Sequence, residues 1–397
     1  MSLNEVQSGQ RLHIGFFGKR NSGKSSLINA FTGQEVSIVS DVAGTTTDPV
    51  SKPMEISGLG ACVLIDTAGF DDVEPLGESR VMKTGKVAEK TDIAVMVFSS
   101  EDTREEEKWL ERLKKEKTPV LGVLNKTDIL ENPEVICKNL SEKLGLTVIP
   151  VSALQKKGIE EMRTQLLRLV PEDFGIRSIT GTLTKKGDVV MLVMPQDIQA
   201  PTGRLILPQV QTIRELLDKK CTVVCTSADT MQDSLDALAS PPSLIITDSQ
   251  VFPLVYKLKP QSSRLTSFSV LFAALKGDIN YYLEGAAAIE SLTEKSKVLI
   301  AECCTHAPKE EDIGRVKIPA LLRKRIGDGL TVEVCSGTDF PDDLSSYDLI
   351  IQCGACMFNR KYVLSRIDRA KDCGVPMTNY GVVIAYLTGI LDKISFE

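Results

Sequence analysis

Eight consecutive residues near the start of the chain can bind a polyphosphate. Gly18, Lys19, Arg20, Asn21, Ser22, Gly23, Lys24 and Ser25 fit the pattern G-x-x-x-x-G-K-S, after an apolar strand-like run and before a helical pattern. Glycines let such a loop fold around phosphates, and its amides and the following helix N-terminus bind them. Lys24 can reach the β- and γ-phosphates, and Ser25 can ligate Mg²⁺. Ser26 joins Gly18, Asn21, Ser22 and Gly23 among the nucleotide-binding candidates. Asp66 and Gly69 follow a second strand-like run in the order Asp-x-x-Gly; Asp66 would hold Mg²⁺ through water, and the Gly69 amide would sense the γ-phosphate. Asn125, Lys126 and Asp128 follow a third run in the order Asn-Lys-x-Asp. The Asp128 carboxylate can accept from N1–H and the 2-amino group of guanine; adenine lacks both donors and would leave it unpaired. Ser152 and Ala153 follow the last run, where a base-backing loop belongs. Four motifs in this order, each at a strand end, predict GTP or GDP as ligand and slow hydrolysis of GTP.

A second constellation lies far down the chain. Cys304 and His306 form Cys-x-His, and Cys353 and Cys356 form Cys-x-x-Cys, in a chain with ten cysteines and two histidines. Histidine is so scarce that Cys-x-His is the more telling half. Both halves follow strand-like runs, at 298–301 and 348–352. In a parallel α/β unit the carboxyl ends of the strands share one edge, where ligands bind. Three thiolates suit an iron–sulfur cluster or Zn²⁺, and a zinc site would take His306 as its fourth ligand. Cys303 lies out of the Cys-x-His frame and reads as buried or as a spare thiol. His13 reads as a core or strand-surface residue.

The elements that must position these groups repeat in α/β order. Strand-like runs at 12–17, 61–65, 93–98, 120–124 and 147–151 alternate with helical patterns such as 105–115 and 158–169, which predicts a parallel sheet with helices on both faces. A break follows Pro171. A second α/β stretch has strands at 188–194, 221–226 and 243–247, with helices at 205–219 and 231–239. It carries no catalytic motif and reads as a packing or oligomerisation module. A third begins near Arg264, with helices expected at 311–325 and 360–370. The expected architecture is α/β in three domains: a P-loop nucleotide domain over 1–173, a middle parallel α/β domain over 177–263, and an α/β metal-binding domain over 264–397.

Composition narrows the function classes. With 42% hydrophobic and 25% charged residues the chain is an ordinary globular protein. A net charge of −6 argues against a protein that binds nucleic acid by neutralising many phosphates. No secretory signal opens the sequence, and no apolar run approaches the ~18 residues of a membrane span. Nucleotide triphosphates and free thiols together point to a cytoplasmic setting.

Two resemblances add to this reading. The nucleotide motifs resemble those of the Era/TrmE-like GTPases, and the stretch Gly44, Thr45, Thr46, Thr47, Asp48 is similar to their Gly-Thr-Thr-Arg-Asp switch, with Thr47 in place of arginine. The resemblance implies that Thr46, or else Thr45, is the Mg²⁺-sensing hydroxyl, acting with Lys24, Asp66 and Gly69. It also implies that Asn21 helps hold a K⁺ ion beside the phosphates. Phe70 stands where Ras-like proteins orient water with glutamine, which fits slow turnover. The whole chain resembles the HydF family of [FeFe]-hydrogenase maturation GTPases, on the nucleotide domain, the motif-poor middle, the Cys-x-His and Cys-x-x-Cys pairs, and the run from Asp312 through Gly314 and Arg315 to Pro319. That resemblance implies a [4Fe–4S] cluster on Cys304, Cys353 and Cys356 with an exchangeable fourth site. It further implies a di-iron precursor made by radical-SAM maturases and delivered to apo-hydrogenase, and a homodimer formed through the middle domain. Gln352 departs from the histidine that often precedes Cys-x-x-Cys there. The alternative is a ribosome- or tRNA-directed Era/TrmE-like GTPase with a C-terminal zinc site.

Overall fold

The computed structural model describes residues 8–34, 49–69, 77–172, 174–175, 177–195, 205–303, 312–355 and 358–395. The chain divides into two compact units, one of residues 1–175 with 358–365 and one of residues 176–357 with 366–397. The first unit holds one sheet and the second holds two, so the described elements form three α/β layers.

In the first sheet, β1 (Leu12–Gly18) leads into α1 (Lys24–Thr32). There follow β2 (Val50–Ile56), β3 (Gly60–Asp66), α2 (Gly77–Ala88), β4 (Ile93–Phe98), α3 (Arg104–Lys115), β5 (Val120–Leu124), α4 (Pro133–Leu144), β6 (Val148–Pro150) and α5 (Ile159–Leu169). The strand order is β2-β3-β1-β4-β5-β6. β1 is central and buried along its whole length because it is covered on both faces. Leu12, Ile14 and Phe16 point to Leu27, Phe31 and Leu166 on one face, and Phe17 points to Trp109 and Leu113 on the other. This two-residue alternation splits one apolar run between two cores. The expected all-parallel sheet needs one correction, because β2 runs antiparallel to β3 at the edge. It is largely exposed and contains Pro53, which an edge strand tolerates because its outer N–H groups need no partner.

The middle sheet has β7 (Val189–Val193), α6 (Leu207–Asp218), β8 (Thr222–Thr226), α7 (Met231–Asp236), β9 (Leu244–Thr247), α8 (Phe252–Leu258), β10 (Arg264–Ser267) and α9 (Phe268–Lys276), in strand order β10-β9-β7-β8. All its pairings are parallel. The strand that starts at Arg264 pairs with β9 in this sheet, although the sequence puts Arg264 at the head of the third unit.

The third sheet has α10 (Ile279–Ala287), β11 (Lys297–Ala301), α11 (Ile318–Ile326), β12 (Thr331–Cys335), β13 (Leu349–Gln352), α12 (Arg360–Asp372), β14 (Met377–Asn379) and α13 (Tyr380–Leu387), in strand order β12-β11-β13-β14 and wholly parallel. The helix expected over 311–325 begins later. A π turn occupies Ile313–Lys317, capped by the Asp312 carboxylate accepting from the Arg315 N–H at 2.8 Å, and α11 starts at Ile318. Pro319 explains the break: it has no N–H to give to an earlier turn and so belongs at a helix start. Among the described residues no helix is long and apolar enough to cross a membrane.

Candidate functional site

The phosphate-binding candidates sit where β1 ends and α1 begins. Gly18 lies against β4, and a Cβ there would stand 2.5 Å from the Val97 carbonyl oxygen and 2.8 Å from Ser22 Oγ, so only glycine lets the loop turn at this point. Asn21 and Gly23 both have positive φ, 59° and 89°, which turns the chain back on itself. α1 starts without a side-chain cap at Gly23, so no side chain competes for its N-terminal amides. The Lys24 ammonium, 7% exposed, is folded onto the loop and donates to the Gly18 and Lys19 carbonyls at 2.9 Å each. Ser22 Oγ is buried with no hydrogen-bond partner among the described residues. The outer side of the loop is fastened by Lys19, which pairs with Glu106 of α3 at 3.1 Å; burial pushes the Glu106 carboxyl above its ordinary range.

The other motifs converge on this loop. Ser25 Oγ donates to Asp66 Oδ2 at 2.6 Å, which brings the two Mg²⁺ candidates together. Thr67 Oγ1 donates to the Phe16 carbonyl at 2.6 Å and ties the end of β3 to β1. Gly69 approaches so closely that a Cβ on it would lie 2.6 Å from the Arg20 nitrogen. Asn125, buried after β5, joins three motifs at once. Its Nδ2 donates to the Ser22 carbonyl at 3.1 Å, and its Oδ1 accepts from the Ala153 N–H at 3.1 Å. Ser152 Oγ donates to Asp128 Oδ1 at 2.5 Å and orients the carboxylate proposed for guanine. Lys126 sits between them at φ 62°. Thr45, Thr46, Thr47 and Phe70 lie outside the described residues. The residues present fit a nucleotide with Mg²⁺. An orphaned hydroxyl, an uncapped helix N-terminus and an ammonium turned onto the loop are donors that a phosphate would accept from.

The cysteine constellation falls on the carboxyl edge of the third sheet. β11 and β13 are neighbours, with Ala301 opposite Gln352, so the loops carrying the two cysteine motifs leave the sheet side by side. Cys353, half-buried, accepts the Cys303 N–H at 3.1 Å and the Ala355 N–H at 3.4 Å on its sulfur. Its thiol is held down to about 7, first by a hydrogen bond from the Cys303 side chain; burial opposes this, and the two N–H groups and Arg366 support it. A sulfur so placed is readily a thiolate, the form that binds metal. The turn after it is fixed by Ala355 at φ 49°, whose carbonyl accepts from buried Lys276 at 2.7 Å. Asn379 Nδ2 donates to the Cys353 carbonyl at 3.2 Å. Cys303 is buried, and Arg366 Nη1 donates to its sulfur at 3.4 Å. Cys304, His306 and Cys356 lie outside the described residues. Among the described residues no group of three or more His, Cys, Asp or Glu is arranged to hold a metal ion. The donor set fits a soft metal centre to the extent of one preorganised thiolate at the expected strand end. Sequence reasoning missed Arg366, Lys276 and Asn379, since a helical or strand pattern reveals a face but not which polar residue of the element is buried. His13 is buried in β1 with Nδ1 2.9 Å from the Arg11 carbonyl.

The fold and the first site define a P-loop GTPase domain followed by two further α/β domains. Residues 13–126 match the family model described as 50S ribosome-binding GTPase. Residues 179–277 match the hydrogen maturase F dimerization domain, and 280–395 the hydrogen maturase F tetramerization domain. These two maturase models together cover more than half of the chain, which belongs to the hydrogen maturase F, or HydF, family. Curated relatives match over a shorter stretch. The tRNA modification GTPase MnmE of Flavobacterium johnsoniae is 34% identical over 181 residues, 42% of this chain and 37% of that protein. The GTPase Der of Wolinella succinogenes is 35% identical over 194 residues, 46% of this chain and 41% of that protein. The chain thus spans well under half the length of these two relatives. Among solved structures, Aquifex aeolicus Era bound to GDP and AlF₄⁻ is 21% identical with a TM-score of 0.37, covering 57% of this chain and 98% of that one.

Proposed function

We propose that the chain is a cytoplasmic GTP-hydrolysing scaffold that holds a [4Fe–4S] cluster and carries a di-iron precursor to apo [FeFe]-hydrogenase. Lys24, the loop amides and the α1 N-terminus bind the phosphates. Ser22, Ser26 and Asn21 line the loop. Ser25, Asp66 and Thr46 hold or sense Mg²⁺, the Gly69 amide reports the γ-phosphate, and Asn125, Lys126, Asp128, Ser152 and Ala153 form the guanine pocket. Bound Mg²⁺ neutralises phosphate charge. Beside it Asn21 holds K⁺. Cys304, Cys353 and Cys356 hold the cluster, and His306 is the candidate fourth ligand. The cluster supplies an iron position at which cargo is carried. GTP acts as a switch on association with the radical-SAM maturases or hydrogenase. The protein works as a homodimer built on the middle domain.

The observation that carries the cluster half is the meeting of the two strand ends, with the Cys303 N–H on the Cys353 sulfur at 3.1 Å. The test is anaerobic iron and sulfide reconstitution followed by EPR, with phosphate release measured in K⁺ and in Na⁺. Wild type should take up about four irons per chain and turn over faster in K⁺. Cys353→Ala should lose most iron and keep GTP binding, whereas Lys24→Ala should lose phosphate release at least ~100-fold and keep iron. Colourless protein with one zinc would sink the carrier reading. That outcome would favour a tRNA- or ribosome-directed GTPase; the similarity to tRNA modification GTPases supports the tRNA half of that reading.

A further inference from the structure

Glu106 occupies a core position of its helix. The buried residues of α3 are Glu106, Trp109 and Leu113, spaced as an apolar stripe, and Glu106 is only 2% exposed. A carboxylate placed there is costly unless it is paired. Its partner comes from the phosphate loop: Lys19 Nζ stands 3.1 Å from Glu106 Oε2. The sheet brings the two together, because β1 and β4 are parallel neighbours with Gly18 opposite Val97. The phosphate loop and the loop that opens α3 therefore leave the sheet side by side. Burial pushes the Glu106 carboxyl up, and its own N–H and Lys19 pull it back. Asp102 is the other acid near Lys19, with its carboxylate 3.9 Å away. That carboxylate is half exposed and already accepts from Arg104 twice at 2.9 Å. Solvent screens it, so the buried Glu106 is the stronger charged anchor.

Lys19 is also the pivot of the loop backbone. Its carbonyl accepts from the Lys24 ammonium at 2.9 Å and from the Ser22 N–H at 3.3 Å. One residue thus has its side chain fixed to α3 and its carbonyl fixed to the lysine that meets the phosphates. We propose that Glu106 is a positioning residue for GTP, a buried anchor that acts through Lys19 to hold the phosphate loop in its binding shape. The inference rests on the nucleotide half of the reading above and is independent of the cysteine site. A loop already in shape has little freedom to lose when the nucleotide arrives, so the anchor contributes to affinity. GDP and GTP share the phosphates that the loop amides surround. The anchor therefore serves both nucleotides alike and leaves the chemical step alone. The Asp102 carbonyl also accepts from Lys19, at 2.5 Å, so loss of the Glu106 charge loosens the loop without releasing it.

The test uses the full chain as wild type, Glu106→Gln, Lys19→Gln and the double variant. Fluorescence titration with N-methylanthraniloyl-GDP gives Kd, and phosphate release against GTP concentration gives KM and kcat. Glutamine keeps the shape of glutamate without its charge. Glu106→Gln should raise Kd and KM about tenfold and leave kcat within about twofold. The double variant should bind no more weakly than Glu106→Gln, because both changes break one link. A merely structural carboxylate would act on the folded fraction instead: kcat would fall while Kd and KM stayed at the wild-type values, and that result would overturn the proposal. Effects of the two single variants that multiply in the double would overturn it too. Should Glu106→Gln fail to fold, Lys19→Gln decides: wild-type Kd in that chain overturns the proposal, and binding about tenfold weaker upholds it. A wild-type chain that binds no GDP would instead overturn the nucleotide reading itself.

Discussion

Gln352 is fully buried at the end of β13, and neither its amide nitrogen nor its amide oxygen has a hydrogen-bond partner among the described residues. Each buried orphan costs about 1–3 kcal/mol relative to a satisfied group. A leucine at this position has nearly the same volume and no polar atoms. Gln352→Leu should therefore stabilise the apoprotein by about 1–2 kcal/mol, read as a higher urea midpoint at unchanged slope. A lower midpoint would show that the amide has a partner that leucine cannot replace. At this scale the sequence reveals residue types but not their mates. The strand ends of β1, β3 and β5 were legible because G-x-x-x-x-G-K-S, Asp-x-x-Gly and Asn-Lys-x-Asp carry fixed spacings. The bonds that unite them were not legible: Asn125 meets Ser22 across 103 residues, and Asp66 meets Ser25 across 41. Nor does periodicity distinguish Arg366, sealed beneath the cysteine loops, from Arg369 on the same helix, which reaches the exposed Asp342 carboxylate.

Among elements, α6 has a duty that its one-sided apolar face conceals. Glu215 projects from it and gathers the segment that opens the middle domain. It accepts the Thr180 N–H at 2.9 Å, the Ile179 N–H at 2.5 Å, Thr180 Oγ1 at 2.7 Å and Ser178 Oγ at 2.8 Å. Burial by itself would raise this carboxyl, but the four donors outweigh it and hold it below the ordinary carboxylate range. Its folded-state value therefore lies under its unfolded one. The stabilisation is complete above about pH 4.5 and is lost as pH falls through the depressed value. Glu215→Gln should flatten that acid limb and cost about 1–3 kcal/mol at neutral pH. An unchanged acid limb in the variant would refute the role. Strong, buried, periodic elements such as β4 and β5 were legible to the residue. Four strands escaped: β2 is exposed and holds Pro53, β12 is mostly exposed, β14 has only three residues, and β10 was credited to the wrong unit. Each has a weak apolar signal or depends on a distant partner strand, and pairing is a tertiary fact that local pattern does not carry.

For the whole molecule, the middle sheet offers an unfinished edge. Its order is β10-β9-β7-β8, and β10 is mostly buried while β8 is exposed or half-buried from Thr222 to Cys225. An open edge strand presents a row of backbone groups able to pair with another strand. Leu217 on the adjoining α6 is 56% exposed, so apolar surface lies next to that edge. The sheet falls within the stretch matched by the maturase dimerization domain, and the tetramerization domain begins only after it, at 280. Two copies joined along β8 would close the edge, and the third domain would remain free for a separate contact. A lysine on an edge strand is a recurrent block to such pairing, because its charge would have to be buried between the two sheets. Cys225 is exposed in the single chain, so Cys225→Lys leaves each copy's fold intact. It should halve the mass of the assembly measured by light scattering after gel filtration, while the melting temperature of the chain stays within a few degrees. An unchanged mass would place the dimer contact somewhere other than β8.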